Sequence, residues 1–497
     1  MKRISSFALS VFLLFVNSPA TFAEAPYDSY TYDYYGRVVP SPDPYTPSRI
    51  INGEGLGIGK LSGPKDIFVS RQSDIYIVDT GNNRIIITDR HWNLLRVIDG
   101  FYHNGEWDTF NNPGGIFVTK NNHIYVADTT NQRIVELDEE GNLVRIIGRP
   151  ESEILDENFL YMPTSLVLDS AGRIYVIGLS VNQGIIELNS DGEFSGFIGA
   201  SKVTPSVSDI IWKRISTQEQ RKRMIAFVPT EYNNIAIDTK GFLYTVTSTL
   251  DEKVLGAAIA SRSSNDTGAP IKKLNLQGSD VMRRKGSFLP AGDIAYPPSI
   301  IPNFKYTGPS RLVDVCVEAF GGYTVLDSNR GHVFTYDGDG NLMYAFGAPG
   351  ETKGTFRLPI AIEVLDNRMF VVDMGSNNIT EFQVTDYGSM VKEAIAHHHE
   401  GLYEEATHKW YQVLKKNANS ELAYTGIGKA FLRKGDYGEA LRYFKLGHNK
   451  IYYSKAFKYY RREVLSENFN GIMVVVLLLS IGIYVRIRYK KRKGVKS

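Results

Sequence analysis

Pro64-Lys-Asp-Ile-Phe-Val69, Asp74-Ile-Tyr-Ile-Val-Asp79, Arg84-Ile-Ile-Ile87 and Leu95-Arg-Val-Ile98 return about 50 residues later. The second copy reads Pro113-Gly-Gly-Ile-Phe-Val118, His123-Ile-Tyr-Val-Ala-Asp128, Arg133-Ile-Val-Glu136 and Val144-Arg-Ile-Ile147. Four short runs rich in β-branched and aromatic residues, parted by turn residues, predict a four-stranded antiparallel meander. Further copies run over 163–199, 233–286, 309–347 and 359–384. One meander cannot bury both of its faces, but six around an axis pack each sheet on the next, so the fold class expected is an all-β six-bladed propeller. The sixth copy supplies only three strands, Ile360–Val364, Met369–Asp373 and Thr380–Val384. Arg49-Ile-Ile-Asn-Gly53 resembles Arg96-Val-Ile-Asp-Gly100 at the end of the first copy, and is expected to complete the last blade and remove its open edge.

Val78-Asp79-Thr-Gly-Asn82-Asn-Arg84-Ile and Val126-Ala-Asp128-Thr-Thr-Asn131-Gln-Arg133-Ile resemble the hallmark of the NHL-repeat propellers. Later copies depart from it: Asp327-Ser-Asn329-Arg330 is shortened, Asp373 has no matching Arg, and copies three and four lack the Asp. The resemblance spans residues 49–386 and implies the fold. For function it implies little, since such propellers bind proteins, RNA or sugars. Asp79, Arg84, Asp128, Arg133, Asp327 and Asp373 are read as internal contacts fixing each loop.

In a four-stranded blade the first-to-second and third-to-fourth turns share one face of the ring, and here these are short. The insertions at 101–110, 201–227, 249–270 and 287–308 all fall on the other face, which is the expected binding surface. Candidate binding residues there are Tyr102, His103, Trp107 and Phe110 in an aromatic connection, Trp212 and Arg214 in a basic insertion, and Asn329 and Arg330. Aromatic rings with polar edges suit sugar rings or a protein partner. Lys213, Arg221, Lys222, Arg223, Arg283, Arg284 and Lys285 extend the basic rim.

Catalysis finds less support. Propeller-shaped lyases and lactonases hold a divalent metal near the axis, and this remains the alternative. The four propeller histidines divide, with His91 and His123 on the short-turn face and His103 and His332 on the other. The triplet His397 to His399 cannot share one ion unaided, because helix neighbours project about 100° apart. No phosphate loop or nucleophile elbow is present. No cofactor and no metal is expected.

After Tyr387 the period becomes helical and a second repeat appears at 34 residues: Gly401, Tyr403, Ala406 and Trp410 return as Gly435, Tyr437, Ala440 and Phe444. This resembles TPR units, with Ala394, Gly428, Tyr424, Ile427 and Phe431 at matching positions and a degenerate third pair over 453–467. The resemblance implies a partner, or else a rigid stalk.

Residues 1–23 carry Lys2 and Arg3, an apolar run and Thr-Phe-Ala23, the pattern of a secretory leader. Phe469 to Ile487 is 19 residues, about 28 Å as a helix, and seven basic residues with no acid follow from Arg486 onward. This predicts a single-pass membrane protein with its bulk extracytoplasmic and a short cytoplasmic tail. Removing two basic residues in the leader and seven in the tail leaves 47 basic against 54 acidic side chains, or −7, so the overall +2 misleads. The 45 Gly, 30 Tyr and 25 Phe suit a turn-rich β protein. A single cysteine, Cys316, permits no intrachain disulfide and argues against redox function. The domains expected are a leader at 1–23, an extended Tyr/Pro-rich linker at 24–48, the propeller at 49–386, TPR-like repeats at 387–468, a span at 469–487 and a basic tail at 488–497. The partners expected are a protein or envelope glycan outside the membrane and the bilayer itself, with no nucleic acid.

Overall fold

The computed structural model describes residues 25–152, 155, 159–179, 181, 183–199, 232–248, 269–284, 289–293 and 309–494. The expected leader, Trp212, Arg214, the rest of the insertion from Lys213 to Arg223, and Lys285 lie outside the described residues.

Six β-sheets surround one axis. Blade 1 comprises Asp66–Val69, Ile75–Asp79, Arg84–Thr88 and Leu94–Ile98. Blade 2 comprises Pro113–Val118, Ile124–Asp128, Arg133–Leu137 and Leu143–Ile147. Blade 3 runs from Pro163–Leu168 to Phe194–Ile198, and blade 5 from Leu312–Val317 to Leu342–Phe346. Blade 4 has three described strands, Asn234–Ile237, Leu243–Val246 and Ile271–Leu274. Within each blade the strands pair in sequence order. The second strands are buried end to end, as Ile75–Asp79 and Ile124–Asp128 show, because neighbouring blades cover both of their faces. Each first strand packs beside the first strand of the next blade, and that of blade 6 returns to that of blade 1.

Blade 6 is closed by the start of the chain. Pro359–Leu365, Arg368–Asp373 and Asn378–Val384 are joined by Tyr45–Ile51, with Ile379 opposite Ile51, Glu381 opposite Arg49 and Val384 opposite Tyr45. The closing strand therefore begins four residues before Arg49 and ends before Asn52. Beside it Glu381 of Asn378–Val384 accepts from Ser48 of the closing strand at 3.0 Å and from Trp92 Nε1 of blade 1 at 2.6 Å.

The Tyr-rich segment, expected as an extended linker, folds against the ring. Tyr30–Tyr32 and Val38–Pro40 form a hairpin that adds to the outer strand of blade 5, Tyr30 opposite Ala345. Tyr27 is buried and donates to the Tyr45 carbonyl at 2.8 Å. At the hairpin tip, the Tyr34 ring stacks on His448 of the helical segment, 6.4 Å between centroids.

Six helices follow: α1 (Asp386–Glu400), α2 (Tyr403–Lys416), α3 (Glu421–Lys434), α4 (Tyr437–Leu446), α5 (Lys450–Glu467) and α6 (Phe469–Gly494). Thr385, Ser420 and Asp436 accept hydrogen bonds from the first turns of α1, α3 and α4. Gly401 and Gly435 end α1 and α3 in left-handed conformation, φ 86° and 83°, which explains the glycine at both copies of that position. Ala406 and Ala440 are buried where the helices cross, and Trp410 and Phe444 fill the gaps over Gly426 and Gly428. Tyr403 lies under the Arg433 guanidinium, and Tyr437 stacks on Tyr459. The expected third pair is instead the single helix α5. The segment packs on the ring: Tyr387, Val391, Trp410 and Ile427 share one core with Tyr45, Phe320, Phe346 and Phe382 of blades 5 and 6. Lys392 adds an ion pair to Glu318 at 2.7 Å. Helix α6 is apolar and unburied, and Phe469–Lys491 is long enough to cross a membrane.

Candidate functional site

On the face that carries the blade connections, the link from blade 1 to blade 2 folds as a hairpin, Gly100–His103 against Glu106–Thr109. Alternation along these strands sends Phe101 inward and Tyr102 outward. Phe101 and Phe110 are buried, with rings 5.6 Å apart, so Phe110 is core rather than the surface residue expected. Tyr102 and Trp107 stand directly opposite each other, 69% and 53% exposed, in a T-shaped pair 5.1 Å apart. Gly100 is required beneath them, since a Cβ there would meet Trp107 at 2.8 Å. Arg133 braces the hairpin from blade 2 with both terminal nitrogens on Asp108, at 2.6 and 2.9 Å. These bonds, with the guanidinium charge, hold the Asp108 carboxyl below its ordinary range. His103 lies at the edge, 4.0 Å from Asp108.

The recurring acids are buried and make contacts within the fold. Asp79 accepts from Arg84 Nε at 2.7 Å, from Asn82 and from the Ser62 amide. Asp128 repeats this with Arg133, Asn131 and the Asn111 amide. Asp327, whose Arg330 stands 4.0 Å away, accepts from the Arg311 and Asn329 amides and the Ser310 hydroxyl, and Asp373, which has no matching Arg, accepts from the Arg357, Leu358 and Gly375 amides. A buried carboxylate so placed satisfies the incoming turn of every blade that keeps it.

Asn329 and Arg330 belong to blade 5, Asn329 half-buried and Arg330 buried. Asn329 reaches the Pro309 carbonyl, while Arg330 is buried with Nη1 3.9 Å from Asp293 and 4.0 Å from Asp327. There Asp293, Asp327 and His332 bring their donor atoms within 4.8 Å of one another, so among the described residues they are the ligands on hand for a cation. Asp293 also accepts from the hydroxyls of Tyr30 and Tyr32, each at 2.6 Å, and meets His332 Nδ1 at 2.7 Å. Burial raises the Asp293 carboxyl, but His332 and the two phenols outweigh it and hold it at about 2.

The axis carries a feature that the sequence reading did not single out. A cavity of about 850 Å3 runs from the first strands to their turns on the short-turn face, past Arg71, Lys120, His123, Asp169 and Lys240. Asp66, Ser165, Asn234 and Asp314 line it, and Gly115 and Ala361 hold the matching register in blades 2 and 6. The first strand of a blade has no ladder partner on its axial edge, so its amides need other acceptors. Asp66 accepts from Ile67 and from Ile116 of the next blade, and Asp314 from Val315 and from Ile362 of the next. Ser165, Asn234 and Asp314 link blades 3, 4 and 5 through side chains alone. Burial lifts Asp66 to about 7 and Glu363 to about 8, while Asp314 is raised well above its ordinary value by burial and by the Asp66 charge. The signal was present: these are the third residues of Pro64-Lys-Asp66, Pro113-Gly-Gly115 and Pro163-Thr-Ser165.

No curated protein matches this chain. Among solved structures it is similar to virginiamycin B lyase from Staphylococcus aureus, at 12% identity and TM-score 0.39 over 68% of this chain and 99% of that one. A protein of unknown function from Bacteroides thetaiotaomicron gives 11% identity and TM-score 0.41 over 73% and 77%. One from Bacteroides caccae gives 9% and 0.33 over 65% and 93%. These likenesses bring neither ligand nor activity to this chain. Residues 110–137, the last residue of the hairpin connection through the third strand of blade 2, match the family model of the NHL repeat.

Proposed function

We propose that this is a membrane-anchored binding or scaffold protein, held outside the cytoplasm by α6, whose loop-rich face captures a protein or a glycan rather than nucleic acid. The observation that carries the reading is the Tyr102–Trp107 pair, two large rings left in solvent on a hairpin whose backbone ladder, buried Phe101 and Arg133 brace leave little freedom to lose on binding. Helices α1 to α4, with their 34-residue recurrence, are read as TPR-like units fused to the ring. The secretory leader and the basic tail set the orientation.

The test is a pull-down and a glycan array with the detergent-solubilised full chain, beside Tyr102→Ala and Trp107→Ala. Neither side chain supports the core, so both variants should fold. Loss of the captured ligand in both supports the reading, and retention in both overturns it. The alternative, a metal-dependent lyase or lactonase at the same mouth, draws on the Asp293, Asp327 and His332 group. Titration with Mg2+, Ca2+ and Zn2+ separates the two: saturable binding lost in His332→Ala favours the alternative.

A further inference from the structure

The axial cavity opens on the face opposite the Tyr102–Trp107 hairpin, so it is a second place on the ring and rests on none of the function proposed above. Its volume, about 850 Å3, is that of a pocket for a small molecule. Its rim is built by the first-to-second turns of blades 1 to 4, with Arg71, Lys120, Ser170 and Lys240. The matching turn of blade 5 is taken up by the helices: Phe320 shares their core, and Glu318 pairs with Lys392.

The walls are backbone. Ser70, Thr119, Asp169, Asp238 and Glu318 donate their amides away from the axis, to the carbonyls of Asp74, His123, Arg173, Phe242 and Gly322. In an antiparallel strand the amide and carbonyl of the preceding residue point the other way. Val69, Val118, Leu168, Ile237 and Val317 therefore turn N–H and C=O groups to the axis, and all five line the cavity. One level deeper the corresponding amides are spent on side chains, those of Ile67 and Ile116 on Asp66 and those of Val315 and Ile362 on Asp314. At the upper level blade 6 does the same, with Glu363 accepting from Val364. The other five pairs have no such partner among the described residues, and water or a ligand must complete them. Donor and acceptor side by side suit hydroxyl groups, which serve as both.

The rim adds charge. Arg173 is paired with Asp169 at 2.6 Å and His123 meets Glu136 at 2.8 Å, but Arg71, Lys120 and Lys240 have no acidic partner among the described residues. Cations gathered at the mouth of a cavity draw an anion toward it. The acids of the wall, Asp66, Asp314 and Glu363, are raised by burial toward their neutral forms and oppose an anion little.

We propose that the axial cavity binds a hydroxylated small molecule bearing an anionic group, a sugar acid or a sugar phosphate, with its hydroxyls against the exposed edges of the first strands and its charge among Arg71, Lys120 and Lys240.

Glucuronate, glucose-6-phosphate, glucose and inorganic phosphate are titrated calorimetrically into the detergent-solubilised full chain, beside Lys120→Ala, Lys240→Ala and the double variant. Both lysines are exposed on turns, so the variants should fold. Lys65→Ala, an exposed cation outside the cavity, controls for the loss of one charge. The expected result is saturable binding of glucuronate or glucose-6-phosphate, tighter than that of glucose or inorganic phosphate, and the better of the two tells carboxylate from phosphate. Each single variant should weaken it about threefold and the double variant about tenfold, with Lys65→Ala unchanged. No saturable binding of either organic anion overturns the proposal. So does glucose binding as tightly, which would leave the rim without a role, or inorganic phosphate doing so, which would leave the strand edges without one. Equal weakening in Lys65→Ala would show a response to net charge alone and also overturns it.

Discussion

Gly426 in α3 and Gly438 in α4 look alike in the sequence, yet replacing each by alanine should move stability in opposite directions. Alanine is better than glycine inside a helix by about 1 kcal/mol, and less in the first turn, where Gly438 sits. At Gly438 an added Cβ meets nothing closer than 3.9 Å, so Gly438→Ala should gain ~0.5 kcal/mol. At Gly426 the same carbon would sit 2.2 Å from Trp410 Nε1 and 2.6 Å from its Cε2. The indole is 2% exposed and walled by the core that α1 to α3 share with blades 5 and 6, so it can retreat only by displacing neighbours. Overpacking of this kind costs about 1–3 kcal/mol, and a shift of an ångström in a buried ring falls at the upper end. After the propensity gain, Gly426→Ala should lose roughly 1–2 kcal/mol, and amide protection in α2 and α3 should fall about 5- to 30-fold. Native-state hydrogen exchange of the full chain, read by mass spectrometry, gives both numbers locally. Unchanged or increased protection in Gly426→Ala would show that the indole yields freely and would refute the close-packing argument.

Trp410→Phe should be mild, within ~1 kcal/mol, because the buried indole N–H has no hydrogen-bond partner among the described residues and Phe444 serves at the equivalent position. Exchange in α2 checks it. Asp66 and Glu363 hold their protons more tightly folded than unfolded, so their contribution is full below pH ~4 and is lost as pH rises through about 7 and 8. Melting temperature should therefore fall between pH 5 and 8.5 (a range set by those values), and Glu363→Gln should flatten the slope; an unaltered slope would place it elsewhere. Asp293 has the opposite sign: depressed to about 2, it stabilises above pH ~4, so Asp293→Asn should loosen the N-terminal hairpin at neutral pH, seen as faster proteolysis near Tyr35. Tyr45→Ala removes a fully buried ring stacked 5.3 Å from Phe346 and should cost about 3–5 kcal/mol, measured as a lowered denaturant midpoint.

The blades were legible because each is a local event: alternation, turn residues and the Pro-initiated first strand all lie within some fifty residues of one another. The closing strand was legible for a narrower reason, the match between Arg49-Ile-Ile and Arg96-Val-Ile, although its start at Tyr45 was not. Tyr30 could not be read in advance. Its partners Asp293, His332 and Ala345 are more than 260 residues away, and no local pattern announces such contacts. Phe110 was misassigned because an aromatic cluster in a connection looks uniform until strand alternation assigns Phe101 and Phe110 to the core and Tyr102 and Trp107 to solvent. The axial ring was missed because its positions hold different residues, Asp, Gly, Ser, Asn, Asp and Ala, so recurrence hid a shared place rather than a shared side chain.

Because Tyr45–Ile51 pairs with Asn378–Val384, a strand synthesised before all six blades must wait for the last of the β-rich portion before its ladder forms. Assembly of the ring is thus a terminal event, with a loop of over three hundred residues to close, and such long-range pairing is slow. A chain halted after blade 5 would display two raw borders ready for proteases or for another unfinished chain. The design acts as a completeness check, since only a polypeptide that has reached Val384 can seal itself.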